Sequence, residues 1–312
     1  MGARGFFVAD DYRTLCALFR DAVAKHGDLP AQEWFQDGAW RSRSYREFGQ
    51  AARDAAHGLL ALGVKPGDRV ALWSKNSPRW AEVDFADQLA GFVTVPIYDN
   101  LTGERGAYIL NDSEAKVAFV QDAGVLARTL EVRGSLKHTK TLVLLSGASP
   151  EKGVLTYDAF LEAGRAWAAK NPGRLDDLSS KVKPDDLASL VYTSGTTGDP
   201  KGAMLTHLNF ASNTAALELV KIGPEDVFLS FLPLSHVFER LGGHFAAYRL
   251  GAKVVFARSI DTLTDDMQVA HPTIMMSVPR LYEKIHGRLQ ESVAKSSFVK
   301  RRIFAWAIAQ GK

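Results

Sequence analysis

The sequence predicts an α/β fold of mostly parallel sheets flanked by helices. Three observations predict it. Short apolar runs alternate with amphipathic stretches almost from start to end, the rhythm of β–α–β–α units. Glycine and proline signals punctuate that alternation at helix ends and turns. The composition, 46% hydrophobic and 23% charged over 312 residues, is that of a globular chain long enough to bury a large core.

The elements can be read in order. In Tyr45 to Leu62, the apolar residues Phe48, Ala52, Ala55, Leu59 and Leu62 share one helical face. Gly63 stops that helix and Lys65-Pro66-Gly67-Asp68 turns the chain. Arg69 to Trp73 reads as a buried strand, Pro78 opens a helix running to about Ala90, and Phe92 to Ile97 reads as the next strand. Further strands lie at Ala115 to Val120 and Lys140 to Leu145, with helices at Thr102 to Leu110 and Tyr157 to Ala169. The polar stretch Asn171 to Pro184 reads as a surface connection between two halves of one sheet system. Leu187 to Tyr192 is a buried strand, succeeded by a loop and a helix from about Thr206 to Val220. Strands at Val227 to Phe231 and Lys253 to Ala257 alternate with helices at Phe238 to Leu250 and Ile260 to Ala270. Pro279 to Val293 and Ser297 to Gln310 read as helices.

Charge and cysteine content exclude several classes. Lys plus Arg is 38 against 35 for Asp plus Glu, a net +3, too balanced to imply nucleic-acid binding. A single cysteine, Cys16, excludes internal disulfides, CxxC redox motifs and multi-cysteine zinc sites. Its apolar neighbours make it a small buried hydrophobe. No signal peptide and no run of ~18 apolar residues is present. The expected location is cytoplasmic, with peripheral membrane contact left open.

The most informative segment is Thr193 to Gly202, with four hydroxyls, three glycines and Lys201 in ten residues. Glycines let backbone N–H groups approach a ligand, hydroxyls donate to anionic oxygens, and the lysine adds a full charge. That set suits a polyphosphate; a polar surface loop is the other reading. The segment lacks the Gly-Lys-Ser/Thr of a Walker A loop, the glycine two before the serine of a nucleophile elbow, and the GxGxxG of a dinucleotide fold. An oxidoreductase with a Rossmann-type sheet is set aside on the same ground.

The stretch Tyr192-Thr193-Ser194-Gly195-Thr196-Thr197-Gly198-Asp199-Pro200-Lys201-Gly202, continuing to His207, resembles the phosphate loop of the AMP-forming acyl-adenylate ligases. Phe231 to Arg240, reading Phe-Leu-Pro-Leu-Ser-His-Val-Phe-Glu-Arg, resembles the substrate motif of the long-chain fatty-acid–CoA ligases within that superfamily. Val278 to Ile285, Gly63 to Leu72 and Asn76 to Trp80 share the flavour of that subgroup. The resemblance runs from about Tyr45 to the last residue, giving an N-terminal segment 1–44 and a partial AMP-binding domain 45–312.

The resemblance implies a two-step reaction using ATP, Mg²⁺ and coenzyme A. A long-chain fatty acid attacks the α-phosphate to give acyl-AMP and diphosphate, and coenzyme A then displaces AMP. By resemblance, Tyr192, Thr193, Ser194, Gly195, Thr196, Thr197, Gly198, Lys201 and Gly202 hold the nucleotide phosphates, with Thr196 beside the metal. Lys201 and His236 are the candidate catalytic side chains, and His236 and Phe238 lie by the acyl group. His236, Arg240 and His244 also have i, i+4, i+8 spacing, which admits a helical metal pair or a structural histidine. His207 comes directly after Thr206, a helix N-cap, and reads as structural.

The family pattern continues past this chain. Outside the phosphate loop, no Tyr-Gly-x-Thr-Glu segment, ribose-binding Thr-Gly-Asp or C-terminal lid domain is found. The expectation is therefore an incomplete N-terminal domain, dependent on a C-terminal half or a full-length relative as partner. The alternatives are a non-catalytic fatty-acid or nucleotide-binding protein and an acyl-AMP ligase acting with a carrier protein.

Overall fold

The computed structural model describes residues 13–148, 151–193, 198–217 and 220–310. Two compact units divide after Met275. In the first, α1 (Leu15–His26) precedes a hairpin of β1 (Pro30–Gln36) and β2 (Ala39–Ser44). Then come α2 (Tyr45–Ala61), β3 (Arg69–Trp73), α3 (Pro78–Ala90), β4 (Val93–Ile97), α4 (Gly103–Asp112), β5 (Val117–Val120), α5 (Ala123–Glu131), β6 (Thr141–Leu144) and β7 (Val154–Thr156). The chain goes on through α6 (Tyr157–Lys170), α7 (Arg174–Ser179), β8 (Leu187–Thr193), β9 (Lys201–Thr206), α8 (His207–Ala216) and β10 (Val227–Ser230). One helical stretch then combines α9 (Val237–Glu239), a π-helical segment (Arg240–Phe245) and α10 (Ala246–Arg249). The unit closes with β11 (Lys253–Phe256) and α11 (Leu263–Ala270). The second unit holds α12 (Pro279–Ala294) and α13 (Phe298–Gln310).

The α/β expectation holds. A seven-stranded sheet has the order β7-β6-β5-β3-β4-β8-β9, and a four-stranded sheet the order β10-β11-β1-β2. Neighbours are parallel except β8/β9 and β1/β2. Every residue of β4 and β5 is buried, because helices cover both faces of a parallel sheet. Helix starts obey their caps. Ser44 and Glu47 form a reciprocal capping box for α2, and Ser77 accepts from Trp80 N ahead of Pro78 in α3. Gly91, at φ +72°, ends α3 in the left-handed conformation.

Three readings change. Lys201 to Thr206 forms strand β9, antiparallel to β8, where the sequence suggested a continuous loop; the backbone pairing with β8 overrides the glycine and polar content. The polar connection after Asn171 contains α7, whose Leu175 and Leu178 are buried and whose Ser179 donates to Leu89 O at 2.6 Å. Residues 13–44 belong to the same unit as residues 45–275: β1 pairs in parallel with β11, Gln32 opposite Val254.

Cys16 is buried, as expected, and its thiol donates to Ser179 O. Helices α2 and α6 meet at glycines. A Cβ on Gly164 would lie 2.5 Å from Gly58 N and 2.8 Å from Asp54 O, both backbone atoms that cannot swing aside. Gly164→Ala is therefore expected to cost about 1–3 kcal/mol or more by overpacking, read as a lower urea midpoint at unchanged slope.

Candidate functional site

Strand β8 delivers the phosphate-loop candidates. Thr193 lies opposite Lys201 and Tyr192 opposite Gly202 across the β8/β9 pair, so the ends of the Thr193-to-Gly202 segment are stapled together. Gly202 packs close under its partner, since a Cβ there would sit 3.0 Å from the Tyr192 ring. The Tyr192 hydroxyl donates to Asp112 Oδ2 at 2.6 Å. Burial and that carboxylate push its pKa above the usual tyrosine range. Thr193 and Lys201 are exposed, and Gly198 holds φ +105°, a conformation natural to glycine. Ser194, Gly195, Thr196 and Thr197 lie outside the described residues.

The segment from Phe231 to Phe238 approaches the same strand ends. Asn76, in the loop after β3, holds it by donating from Nδ2 to Leu232 O (2.7 Å) and Ser230 Oγ (2.9 Å), while Oδ1 accepts from Leu234 N (2.8 Å). Ser235 Oγ donates to Ile97 O, the last residue of β4, and β4 neighbours β8. The carboxyl ends of parallel strands are where open α/β sheets bind ligands. His236 caps α9, its Nδ1 accepting from Phe238 N at 3.1 Å. His236 and Phe238 are exposed, the phenyl ring at 41%.

The spacing of His236, Arg240 and His244 does not assemble a metal pair. His236 faces outward, whereas Arg240 and His244 are buried on Asp84, and the π-helical segment changes the register after Arg240. Among the described residues no cluster of three or more His, Cys, Asp or Glu could hold a metal ion. His207 is structural, as expected: it is buried and its Nδ1 accepts from Leu15 N at 3.3 Å. Burial lowers its pKa to about 4, so it is neutral.

Beneath the site lies a polar network that sequence reasoning missed. Arg240 donates from Nε to Asp84 Oδ2 (3.0 Å), from Nη2 to Asp84 Oδ1, and from Nη1 to Ser189 Oγ of β8 (2.6 Å). His244 Nε2 is 3.1 Å from Asp84 Oδ2. Burial alone would raise the Asp84 pKa, but Arg240 and His244 outweigh it and hold the carboxyl well below the usual range. Burial, then the Asp84 charge, push Asp87 the other way, well above that range. The Thr94 hydroxyl lies within donating distance of both carboxyls, 2.9 Å from Asp84 Oδ1 and 3.0 Å from Asp87 Oδ2. Glu239 is also buried; burial pushes its pKa up to about 8 against a hydrogen bond from Ser230 Oγ. The available signal was Asp84 and Asp87 interleaved with Trp80, Val83, Phe85 and Leu89 in one helix, since carboxyls held among such side chains need buried partners.

Comparisons with known proteins bear on the family and the fold. The AMP-binding enzyme family matches residues 19–306. The human (Homo sapiens) long-chain-fatty-acid–CoA ligase ACSBG1 is 33% identical over 307 residues, 95% of this chain and 42% of that protein. FadD15 of Mycobacterium bovis, with the same activity in its name, is 35% identical over 304 residues, 96% of this chain and 49% of that protein. The chain thus spans about half the length of the curated relatives it matches. The crystal structure of the anthranilate CoA ligase AuaEII in complex with anthranoyl-AMP shares the fold at TM-score 0.76, with 24% identity over 87% of this chain and 51% of that one. By its sequence over nearly its whole length, the chain belongs to the AMP-binding enzyme family.

Proposed function

We propose that this chain carries the triphosphate loop and the acyl-side wall of a long-chain fatty-acid–CoA ligase. The observation that carries the reading is the convergence of the β8–β9 loop and the His236 segment on the carboxyl ends of β4 and β8. Its relatives at 33–35% identity bear the name of that activity. In the first step a fatty carboxylate oxygen bonds to the α-phosphorus of ATP and diphosphate leaves. In the second, the sulfur of coenzyme A bonds to the acyl carbon and AMP leaves. Such chemistry needs charge neutralisation and in-line positioning more than covalent help.

In this reading Thr193 to Gly198 and Gly202 present backbone and hydroxyl donors to the phosphates, with Tyr192 anchoring the strand end. Lys201 supplies the positive charge, and Thr196 adjoins the Mg²⁺ that travels with ATP. His236 and Phe238 border the fatty carboxylate. The test is palmitate-dependent exchange of labelled diphosphate into ATP, measured on this chain alone and on a chimera continued by the C-terminal half of FadD15. Exchange in the chimera, with ATP binding by the chain alone, supports the reading. ATP binding with no exchange in either indicates a non-catalytic binding protein. Lys201→Ala is expected to raise the ATP dissociation constant about tenfold or more, because a charged hydrogen bond contributes roughly 1.5–3 kcal/mol. Its exposure leaves the melting temperature unchanged.

No described helix is long and apolar enough to cross a membrane. The proposal includes peripheral contact through α13, where Phe298, Ile303 and Trp306 are exposed on the helix that carries Lys300, Arg301 and Arg302. Sedimentation with phosphatidylserine vesicles is expected to fall steeply in a variant with all three basic residues changed to Gln, at roughly 1 kcal/mol per charge. Unchanged sedimentation would remove this part of the reading.

A further inference from the structure

Five strands of the larger sheet share one topology with doubly wound nucleotide-binding domains. Numbered by their order in the chain, β3 to β7 are arranged 2-1-3-4-5 across the sheet. The connection from β3 runs through α3 to β4 on one side; that from β5 runs through α5 to β6 on the other. The chain therefore switches direction between the carboxyl ends of β3 and β5. In this strand order the switch point is the position at which a flavin mononucleotide is bound in flavodoxin-like folds.

A cavity of about 700 Å³ opens at that point, within the usual range for small-molecule sites. It is lined by the loop after β3 and by Gln121 and Leu145, which come directly after β5 and β6. None of Lys201, His236 and Phe238 lines it, and β4 separates β3 from β8. The floor is rigid. Glu82, 5% exposed, receives Arg43 Nη1 at 2.6 Å and the Tyr157 hydroxyl at 2.5 Å.

The walls carry two chemistries. At one end α3 begins, and Lys75 and Arg79 flank its first turn. Lys75 Nζ is 3.9 Å from Asp99 and Arg79 Nη2 is 3.8 Å from Asp158, both beyond hydrogen-bonding distance. Both ion pairs are loose, and Arg79 is also held by Leu145 O, so the exposed Lys75 is the cation best placed to turn to an anion at the start of α3, where the helix dipole adds to it. The β1–β2 hairpin adds Trp34 and Phe35 to the lining; as neighbours on one strand they leave opposite faces, Trp34 beneath Arg43, 5.5 Å over its ring, and Phe35 beneath Arg258, 5.1 Å over its ring. Arg258 itself is bound tightly by Asp266 at 2.5 Å, so it serves the aromatic wall more than the anion end.

We propose that this switch-point cavity is a second ligand site, for a phosphate monoester of a planar heteroaromatic group. The phosphate meets Lys75 and Arg79, and the ring lies against Trp34. Flavin mononucleotide is the probe, with riboflavin as the same ring without phosphate, monitored by quenching of flavin fluorescence on the full chain. Saturable binding of flavin mononucleotide is expected, about tenfold or more tighter than riboflavin, as charge-assisted contacts to phosphate demand. Lys75→Gln is expected to weaken flavin mononucleotide several-fold and leave riboflavin unchanged. Lys75 is 65% exposed, so this variant folds even where Arg79→Gln, which loses a bond to Leu145 O, does not. Lys201→Ala is expected to bind the probe as the parent does. No saturable binding, equal affinity for both flavins, insensitivity to Lys75→Gln, or loss in Lys201→Ala would each overturn the assignment. The last result would place the probe at the phosphate loop, leaving the ligase reading intact.

Discussion

Arg240→Met is expected to lower the unfolding free energy by about 3–5 kcal/mol, the cost of stranding one member of a buried ion pair. Arg240 and Asp84 are both fully buried. Methionine replaces the bulk of the guanidinium among the rings of Trp80, Phe210 and Phe245, but leaves the Asp84 charge with the Thr94 hydroxyl, the Gln88 amide and His244 and no cation as strong as Arg240. The neutral pair Asp84→Asn with Arg240→Met is expected to recover much of the loss, which identifies the stranded charge as its cause. Acid provides a second check. In the parent, the depressed Asp84 pKa contributes stability above the ordinary aspartate pKa of about 3.9, and this is lost as pH falls through the folded value. In the variant, burial raises that pKa, so protonation relieves the strain and the gap between the proteins narrows on acidification. Chemical denaturation at pH 7 and pH 4 reads the narrowing, which at pH 4 comes from protonation in the variant. Because Arg240 Nη1 also donates to Ser189 of β8, four residues before Thr193, a variant that still folds is expected to bind ATP more weakly through a loosened strand end.

Glu239→Gln is expected to stabilise the protein at pH 7 and to do so less as pH falls. The buried carboxyl titrates near 8 in the folded state, whereas an unfolded glutamate titrates near 4.5. Between those values the folded chain holds a proton that the unfolded chain has released, so stability falls as pH rises. The slope is about 1.4 kcal/mol per pH unit, making the expected gain of the glutamine variant roughly 3 kcal/mol between pH 5 and pH 7. Glutamine keeps the shape and can still accept from Ser230 Oγ. Buried Asp87 contributes a slope of the same sign, but it is present in both proteins and cancels in the difference. Parallel stability-versus-pH curves for parent and variant would show that Glu239 is ionised in the folded chain.

The parts of the fold that were legible are those in which local pattern and burial agree. The run Arg69 to Trp73 is apolar because it lies inside a covered parallel sheet, and the helix opened by Pro78 announces itself through its cap. Strand β9 was not legible, because its stability comes from a partner strand and none of its own residues is buried. The β1–β2 hairpin had a signal that went unused: Asp37-Gly38, both at positive φ, form the tight turn that this dipeptide favours. For the site, the loop and the His236 segment stood out by residue type alone. Arg240 did not, because its role depends on Asp84 and Ser189, which are far away in the chain and meet it only after packing.

The pairing of β1 with β11 has a consequence during synthesis. Gln32 waits for Val254, roughly 220 residues later, and at 5–20 residues per second the ribosome needs about 10–45 s to supply it. Throughout that interval one edge of the nascent β1–β2 hairpin has no strand to join, while β3 to β7 can already assemble beside it. The chain therefore emerges with a waiting edge, open to capture by a chaperone or by another nascent copy. Codon choices that slow translation before β11 are expected to lower the soluble yield more than those placed after it.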